Sequence, residues 1–398
     1  MKKKNKINYR ENFGKLNLGK KDLSWLKKEI DSKKKYFQNE NFKIKYNFKN
    51  IKKFNKFKTV VVLGMGGSIL GAEAIYFFLK RKIKKKFIFL NNINGKNITE
   101  IKKNTNLNKV LFILISKSGK TIETLTNIIA LKIIKKNSKN VILISERSNN
   151  PFYLLAKKMK LFHVEHKHYI GGRFSVLSEV GMLPAYFMGL NIHEIRKNLT
   201  KNFKQNKKIF LKDSTTKLAN LFQAKKFKNL VFFNYHPELN KFLCWCQQLI
   251  AESLGKKGKG FFPTISTGPK DHHSLLQLYL DGPKDKIFYV FSSKSKKNLK
   301  LNSSFLGEKA RYVNKRNYHD IKLSQKNAFI RVLKENKTPF REIIIKKFNE
   351  DTIGQLFLLF IFETIILSKM IKVNPFDQPA VEKVKILTKQ FLTSKKSS

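Results

Sequence analysis

The chain has 398 residues, and its 83 Lys and Arg against 27 Asp and Glu give a formal net charge of +56. The basic residues are spread along the whole chain without the regularly interleaved aromatic residues of a base-stacking platform, so a specific nucleic-acid partner is not predicted. The abundance of Lys, Asn, Ile and Phe, with few Pro and Trp, indicates A- and T-rich codons, while the positive field still attracts phosphorylated metabolites.

Cysteines and histidines give no sign of a metal site. Cys244 and Cys246 are the two cysteines, and because they lie two residues apart in a helical stretch their side chains diverge, with no second pair to complete a zinc site. His163, His166 and His168 also lack a cysteine or a close carboxylate array, so no metal is predicted. A reduced, cytoplasmic protein is the simplest interpretation.

Apolar segments predict neither a secretory signal nor a membrane partner. Residues 1–20 are polar and basic, without the apolar core of a signal peptide. The most apolar run, residues 356–371, contains Glu363 and is shorter than the ~20 residues that span a bilayer. We therefore expect a buried helix there.

A chain of this length is too long for one ordinary core and predicts two α/β domains in tandem. We expect an N-terminal helical extension at residues 1–50, with weak helical periodicity at 23–30, and a first α/β domain at 51–195. A second α/β domain is expected at 196–373, followed by a C-terminal loop and helix at 374–398.

Within both domains, continuous apolar strands alternate with helices. The predicted strands lie at residues 60–63, 86–90, 110–115, 141–144, 230–233 and 287–291. The first strand leads through a glycine turn into a helix at 69–79. This alternation predicts two doubly wound, flavodoxin-like parallel sheets of the α/β class, each covered on both faces.

Two loops at the ends of predicted strands have phosphate-binding chemistry. The glycines of residues 64–68 let backbone N–H groups approach an anion at a helix N-terminus. The second loop offers the side chains of Ser116, Lys117, Ser118 and Thr121. A dinucleotide fits less well, because the third glycine of its motif would fall at Ile69, and no Gly-Lys-Ser/Thr closes the first loop as in a P-loop. The two loops together favour a phosphomonoester.

One carboxylate, Glu252, lies in an otherwise uncharged apolar stretch, residues 247–254, just before Gly255. A buried carboxylate at a helix end is a candidate general base, a role that contributes roughly 10²–10⁴-fold in rate. The alternative is a structural carboxylate that solvates the helix C-terminus, and the stretch taken alone favours that alternative.

Three further segments carry groups suited to proton or oxyanion chemistry. Arg173 follows paired glycines, and its forked donors suit an enolate, although a surface arginine in a turn is an equal alternative. His272 and His273 lie in a loop where an imidazole could move protons near neutral pH. Residues 374–385 begin as a turn and become a helix from which a lysine could reach a polar site.

Taken in order, these segments resemble the glucose-6-phosphate isomerase family, which is built from two sugar-isomerase (SIS-type) domains. The match runs from about Val60 to Lys385. The resemblance implies a reversible aldose–ketose isomerisation between glucose 6-phosphate and fructose 6-phosphate through a cis-enediolate, in glycolysis and gluconeogenesis. It implies no metal or other cofactor, and a homodimer whose histidine comes from the neighbouring subunit.

The resemblance also assigns roles to individual residues. Glu252 becomes the isomerisation base, Arg173 stabilises the enediolate, and Glu123 orients the histidine. His273 and Lys385 assist ring opening, with His273 preferred to His272 because it keeps the family's spacing to Gln277. The substrate-binding residues would be Gly67, Ser68, Ser116, Lys117, Ser118, Thr121, Gly172, Gln248 and Gln378.

The sequence departs from the family pattern at some positions, and it leaves other functions open. The phosphate loop has Ser118, Gly119 and Lys120 where the family frequently has threonines, and many members are longer. A related isomerase acting on mannose 6-phosphate is the nearest alternative. A sugar-phosphate sensor would need the loops but no base, and a nucleic-acid binder is suggested by charge alone.

Overall fold

The computed structural model describes residues 6–13, 48–197, 208–223, 226–294, 299–303, 305 and 307–394. Two five-stranded sheets form the frame of this part of the chain. Parallel strands with helices on both faces make up nearly all of it, so the prediction of two doubly wound α/β sheets is confirmed. The proposed domain bounds at 51–195 and 196–373 stay predictions.

The first sheet is entirely parallel, and its five strands lie in the order β3-β2-β4-β5-β6. This is the flavodoxin-like order, in which ligands bind where neighbouring connections leave the sheet in opposite directions. Every residue of the central strand β4 is buried, as a sheet covered on both faces requires. The strands are β2 (Thr59–Leu63), β3 (Lys86–Leu90), β4 (Val110–Ile115), β5 (Val141–Ser145) and β6 (Phe162–Glu165).

Helices cover the two faces of the first sheet through alternating side chains of its strands. Val60 and Val62 pack into one core and Val61 and Leu63 into another, because successive strand residues point to opposite faces. Helices α2 and α6 share the core of Val60, and α3, α4 and α5 share the core of Val61. The helices up to residue 196 are α1 (Phe48–Lys52), α2 (Leu70–Leu79), α3 (Gly95–Asn104), α4 (Ile122–Leu131), α5 (Pro151–Lys158), α6 (Glu179–Phe187) and α7 (Ile192–Arg196).

The second sheet repeats the order of the first over four parallel strands and adds an antiparallel fifth. Its order is β1-β10-β9-β7-β8. The strands are β1 (Ile7–Asn12), β7 (Asn229–Asn234), β8 (Phe262–Thr267), β9 (Lys286–Ser293) and β10 (Phe340–Ile345). The remaining helices are α8 (Lys208–Gln223), α9 (Asn240–Leu254), α10 (Leu276–Leu280), α11 (Tyr318–Glu335), α12 (Glu350–Met370) and α13 (Glu382–Ser394).

The N-terminal strand corrects one prediction. A helical extension was expected over residues 1–50, yet Ile7–Asn12 is strand β1, which pairs with β10 from Ile7 opposite Ile345 to Asn12 opposite Phe340. The free edge of β10 presents unpaired backbone groups, and an extended segment satisfies them where a helix could not. The weak helical periodicity at 23–30 lies outside the described residues.

Helix α12 is longer than the apolar run that predicted it. It has 21 residues and is long and apolar enough to cross a membrane by length and composition, although 78% of its most apolar window is buried inside the protein. One such helix is weak evidence of a membrane span, since core helices pass the same test. Glu363, inside it, is buried and lies 2.7 Å from Arg341 Nη1 through Oε2. The expectation of a buried helix is therefore confirmed, with the length corrected.

A second buried carboxyl, Glu179, begins α6 and is 7% exposed. Its Oε2 has no hydrogen-bond partner among the described residues. Burial raises the pKa of Glu179 from 4.5 to about 7, an effect that its own backbone N–H, Lys167 and Arg196 oppose. Between those pH values the folded protein binds more protons than the unfolded chain, so its free energy of unfolding falls as pH rises through this range.

We expect Glu179→Gln to raise the melting temperature more at pH 8 than at pH 4.5. The variant removes a penalty of about 3 kcal/mol that burial places on the charged form, which is present only at the higher pH. Thermal unfolding followed by circular dichroism at both pH values measures the difference. Glu308→Gln is the control, since that side chain is 95% exposed. An equal shift at both pH values would mean that folding does not raise the pKa of Glu179.

Candidate active site

The site lies at the carboxyl ends of the strands of the first sheet, where two loops touch through their glycines. The turn Gly66–Ser68 follows β2, and the turn Gly172–Leu177 precedes α6. A Cβ on Gly67 would lie 2.2 Å from the carbonyl carbon of Gly172. Ser175 Oγ donates to the Gly172 carbonyl oxygen over 2.7 Å, which fixes the second turn. Only glycine at position 67 allows this backbone contact.

The second phosphate loop follows β4 and leads into α4. Ser116 Oγ and Thr121 Oγ1 lie 2.8 Å apart, so the two hydroxyls face each other across the loop. The backbone N–H of Lys120 donates to Ser118 Oγ over 3.3 Å. Lys117 Nζ donates to the carbonyl oxygen of His168 over 2.7 Å and lies 3.5 Å from Glu146 Oε1. The predicted phosphate ligands of this loop are thus neighbours, with the ammonium held at one side.

Arg173 occupies the centre of the site. Its side chain is 3% exposed, and its Nη1 donates to Glu252 Oε2 over 3.1 Å. Its Nε donates to Ser253 Oγ over 2.9 Å. Burial lowers the pKa of Arg173, and the neighbouring Glu252 carboxylate opposes that shift. The alternative of a surface arginine in a turn is therefore wrong.

Glu252 is surrounded by donors and not by the apolar groups that its sequence neighbours suggested. Its side chain is 30% exposed. Gln248, one turn earlier on α9, donates from Nε2 to Glu252 Oε1 over 2.7 Å. Gln248 in turn lies against the first loop, because a Cβ on Gly66 would be 2.5 Å from its Nε2. Each of the two carboxylate oxygens therefore accepts a hydrogen bond, one from Arg173 and one from Gln248.

A segment between α12 and α13 completes the surroundings of Arg173. We name residues 374–378 the strap. Arg173 Nη2 donates to the carbonyl oxygens of Pro375 and, over 2.9 Å, Asp377. Arg173 Nη1 also donates to Gln378 Oε1 over 3.3 Å. The strap therefore brings Gln378 to the same guanidinium that holds Glu252.

Three other predicted residues lie apart from this centre. His273 is exposed after the turn Lys270–His272, and Glu123 is half-buried in the first turn of α4. Lys385, on α13, has a 61% exposed side chain and lies 2.6 Å from Glu382 Oε1 through its Nζ. Among the described residues, no hydrogen bond or ion pair joins any of the three to Arg173 or Glu252.

The neighbouring His272 has a structural partner. Its Nε2 lies 2.6 Å from the Tyr235 hydroxyl oxygen. Burial lowers the pKa of His272, and the adjacent His273 adds to that shift. The half-buried His272 and the exposed His273 thus differ in environment although they are adjacent in the chain.

The histidines near β6 are structural in this chain. His163 Nε2 lies 3.0 Å from Ser145 Oγ, and His166 Nδ1 lies 3.1 Å from the carbonyl oxygen of Lys167. Burial lowers the pKa of both histidines to about 4, so both are neutral near pH 7. Within the described ranges, no group of three or more His, Cys, Asp and Glu side chains could hold a metal ion.

Sequence reasoning missed several groups around Arg173. Ser253 follows Glu252 in the chain, yet a serine in a helix gives no signal that it accepts from a distant guanidinium. The carbonyl acceptors of Pro375 and Asp377 belong to the backbone and have no signature in residue types. No signal in the sequence could have found these acceptors, because the burial of Arg173 is itself known only from the fold.

Comparison with known sequences gives one family. A family model described as phosphoglucose isomerase matches residues 27–398. The glucose-6-phosphate isomerase of Methanocaldococcus jannaschii is 34% identical over 345 residues, which cover 85% of each chain. The glucose-6-phosphate isomerase of Campylobacter jejuni is 29% identical over 361 residues, covering 85% of this chain and 86% of the relative.

Solved structures agree in fold. A hypothetical protein of Thermus thermophilus has a TM-score of 0.77 at 24% identity, covering 93% of this chain and 90% of its own. A glucose-6-phosphate isomerase of Chlamydia trachomatis has a TM-score of 0.67 at 19% identity, covering 96% and 77%. Two doubly wound sheets with hydroxyl-rich loops and a carboxylate beside a buried arginine define an α/β protein of the sugar-isomerase class. Within that class, the chain belongs to the phosphoglucose isomerase family.

We expect Gly67→Ala to destabilise the protein by roughly 1–3 kcal/mol and to lower its affinity for phosphate esters, because the new methyl group must separate two backbones. Gly95→Ala is the matched control, since a Cβ there meets nothing within 4 Å. Thermal unfolding and titration with a sugar phosphate measure both effects. Two variants of equal stability and affinity would contradict the close contact of the loops.

Proposed function

We propose that this chain catalyses the reversible isomerisation of glucose 6-phosphate and fructose 6-phosphate through a cis-enediolate, a step of glycolysis and gluconeogenesis. The observation that carries the proposal is the buried guanidinium of Arg173, shared between the Glu252 carboxylate and the Gln378 amide. Membership of the phosphoglucose isomerase family supports the same reaction. A sensor would have no need of a carboxylate fixed beside a buried cation.

The phosphate group of the substrate would be bound by the two loops. Gly67 offers a backbone N–H group and Ser68 a hydroxyl just before α2, and the second loop adds three hydroxyls and an ammonium. A phosphate dianion accepts several hydrogen bonds and is favoured at helix N-termini. The side chains of the second loop proposed for this role are Ser116, Lys117, Ser118 and Thr121.

Proton transfer between the carbons would fall to Glu252. Its carboxylate takes the proton from C2 of the open-chain aldose, and the electron pair of that bond forms the enediolate. Protonation of the same intermediate at C1 by the glutamic acid gives the ketose, and the hydroxyl proton moves from O2 to O1. Negative charge grows on the enediolate oxygens, and Arg173, whose guanidinium neighbours Glu252, would stabilise that charge. Gly172 and Gln248 would fix the position of the reacting carbons.

Ring opening needs an acid and a base near the ring oxygen and the anomeric hydroxyl. We assign this step to His273 and Lys385, with Glu123 orienting the histidine. His273 is exposed, and within the described part of the chain no hydrogen bond or ion pair joins it to Arg173 or Glu252, as expected if it serves the site of a neighbouring subunit. An imidazole suits proton transfer near neutral pH.

A homodimer would also cover an apolar face that this chain leaves open. All of α13 is exposed, with none of its residues buried. Val384, Leu387 and Phe391 are 66%, 39% and 68% exposed and share one face of the helix by their spacing. A second subunit is the natural cover for such a face. The two free cysteines fit a cytoplasmic location, which we propose for the enzyme.

We expect Glu252→Gln to lower kcat for fructose 6-phosphate isomerisation by roughly 10²–10⁴-fold, because glutamine cannot accept the C2 proton. Its affinity for the sugar phosphate should stay close to that of the parent, since the phosphate loops are unchanged. A coupled assay and calorimetric titration, both with chelator present, separate the two effects. Full activity in the variant would exclude Glu252 as the base; loss of binding would indicate a structural role.

Mixing two inactive variants tests whether subunits share the site. In a dimer of one Glu252→Gln and one His273→Asn chain, one site carries both defects and the other carries none. After joint unfolding and refolding, we expect about a quarter of parental activity, because half of randomly formed dimers are mixed and each has one intact site. His272→Asn is the control and should keep most of its activity by itself. A mixed dimer without recovered activity would mean that the histidine serves its own subunit.

A further inference from the structure

One side chain joins the helix of the proposed base directly to the strap. Lys256 follows Gly255, which ends α9, and its side chain is 11% exposed. Its Nζ lies 2.8 Å from Asp377 Oδ1 and donates to the carbonyl oxygen of Asn374. The other oxygen of Asp377 accepts from Asn374 Nδ2 over 3.0 Å. Lys256, Asn374 and Asp377 therefore contact one another in a closed ring. We name these three contacts the clasp.

Arg173 and Lys256 both hold the strap, through different atoms. Arg173 reaches the carbonyls of Pro375 and Asp377 from inside, and Lys256 reaches the strap from the turn after α9. The centroid of the Phe376 ring lies 5.3 Å from that of the Phe174 ring. The strap is thus held at all four residues from 374 to 377, immediately before Gln378.

We propose that Lys256 is a positioning residue of the isomerase site, which acts by clasping Asp377 and Asn374 so that the strap presents Gln378 to Arg173 and sets the start of α13. The proposal rests on the proposed function, because it concerns the same reaction. Lys256 does not touch the reacting atoms. It acts through the strap, which carries Gln378 and leads to Lys385.

A lysine suits this position for a chemical reason. An ammonium has three donors that can point in different directions, so one group can serve a carboxylate and a carbonyl at once. Without that cation, Asp377 Oδ1 and the Asn374 carbonyl oxygen would each lose a donor. The hydrogen bond from Lys256 lowers the pKa of Asp377 below its ordinary value, as an ion pair that favours the carboxylate should.

Loss of the clasp should change the orientation of the groups in the site more than the free energy of unfolding. Asp377 is 51% exposed, and an ion pair with an exposed partner contributes little to the free energy of unfolding. A small displacement of groups that orient a substrate, in contrast, can lower the rate by up to ~10²-fold. The proposal therefore predicts a loss of catalysis without a matching loss of stability.

The test compares Lys256→Met with Lys257→Met. Lys257 is the adjacent lysine, exposed and outside the clasp, so both variants remove one charge from the same turn. For each variant we would measure kcat, KM and the melting temperature. Hydrogen exchange of peptides that cover residues 371–385 gives a readout that does not depend on activity.

We expect Lys256→Met to lower kcat/KM by about 10- to 100-fold with a nearly unchanged melting temperature, and to speed hydrogen exchange in the strap. Lys257→Met should match the parent in all measurements. Asp377→Asn should lower kcat/KM less than Lys256→Met, and the double variant should lose no more than Lys256→Met alone, because both changes break one clasp.

Three outcomes would overturn the proposal: equal kinetic constants for the two lysine variants, unchanged exchange in the strap, or losses that multiply in the double variant. One further outcome would contradict the proposed reaction and not the clasp. If the parent and Lys257→Met both lacked isomerase activity while Lys256→Met still loosened the strap, the clasp would stand and the proposed reaction would fall.

Discussion

The buried guanidinium of Arg173 is the interaction on which the rest of the site depends. A cation that is 3% exposed has lost its water and is stable only where protein acceptors replace that water. Those acceptors come from two other parts of the chain, the end of α9 with Glu252 and Ser253 and the strap with its carbonyls. Removal of either part would leave buried donors unpaired. One ion therefore couples a loop of the first sheet to a helix of the second and to the C-terminal segment.

The distance between the phosphate loops and this ion is fixed by backbone. Gly67 contacts the peptide of Gly172, next to Arg173, and Gly66 lies against Gln248, which holds Glu252. The contact of Gly67 with Gly172 is between backbones and cannot adjust by a change of rotamer, whereas the Gln248 side chain can. A substrate anchored by its phosphate would consequently meet the carboxylate and the guanidinium in a set geometry, which is the condition for efficient proton transfer.

How far the sequence predicts this molecule depends on which groups make each contact. Continuous apolar strands such as Val110–Ile115 predict a parallel sheet, because a strand buried on both faces consists almost entirely of apolar residues. Strand Ile7–Asn12 has no such apolar pattern, because it lies at the edge of its sheet and pairs with residues far along the chain. Loop chemistry predicts the hydroxyl cluster at Ser116 and Thr121. The acceptors of Arg173 in the strap are mostly backbone carbonyls, which every sequence possesses, so only the fold reveals them.

The high net charge acts over longer distances than the direct contacts of the site. Exposed lysines raise the local concentration of anions, but their field is screened beyond about 8 Å at physiological ionic strength. Lys117 differs from them because its Nζ already donates to the His168 carbonyl and lies 3.5 Å from Glu146. A phosphate that arrives at the loop would compete with the Glu146 carboxylate for this ammonium while the carbonyl contact keeps it in place. The diffuse charge of +56 therefore governs how fast and how salt-dependently anions arrive, and a few oriented donors decide which anion stays.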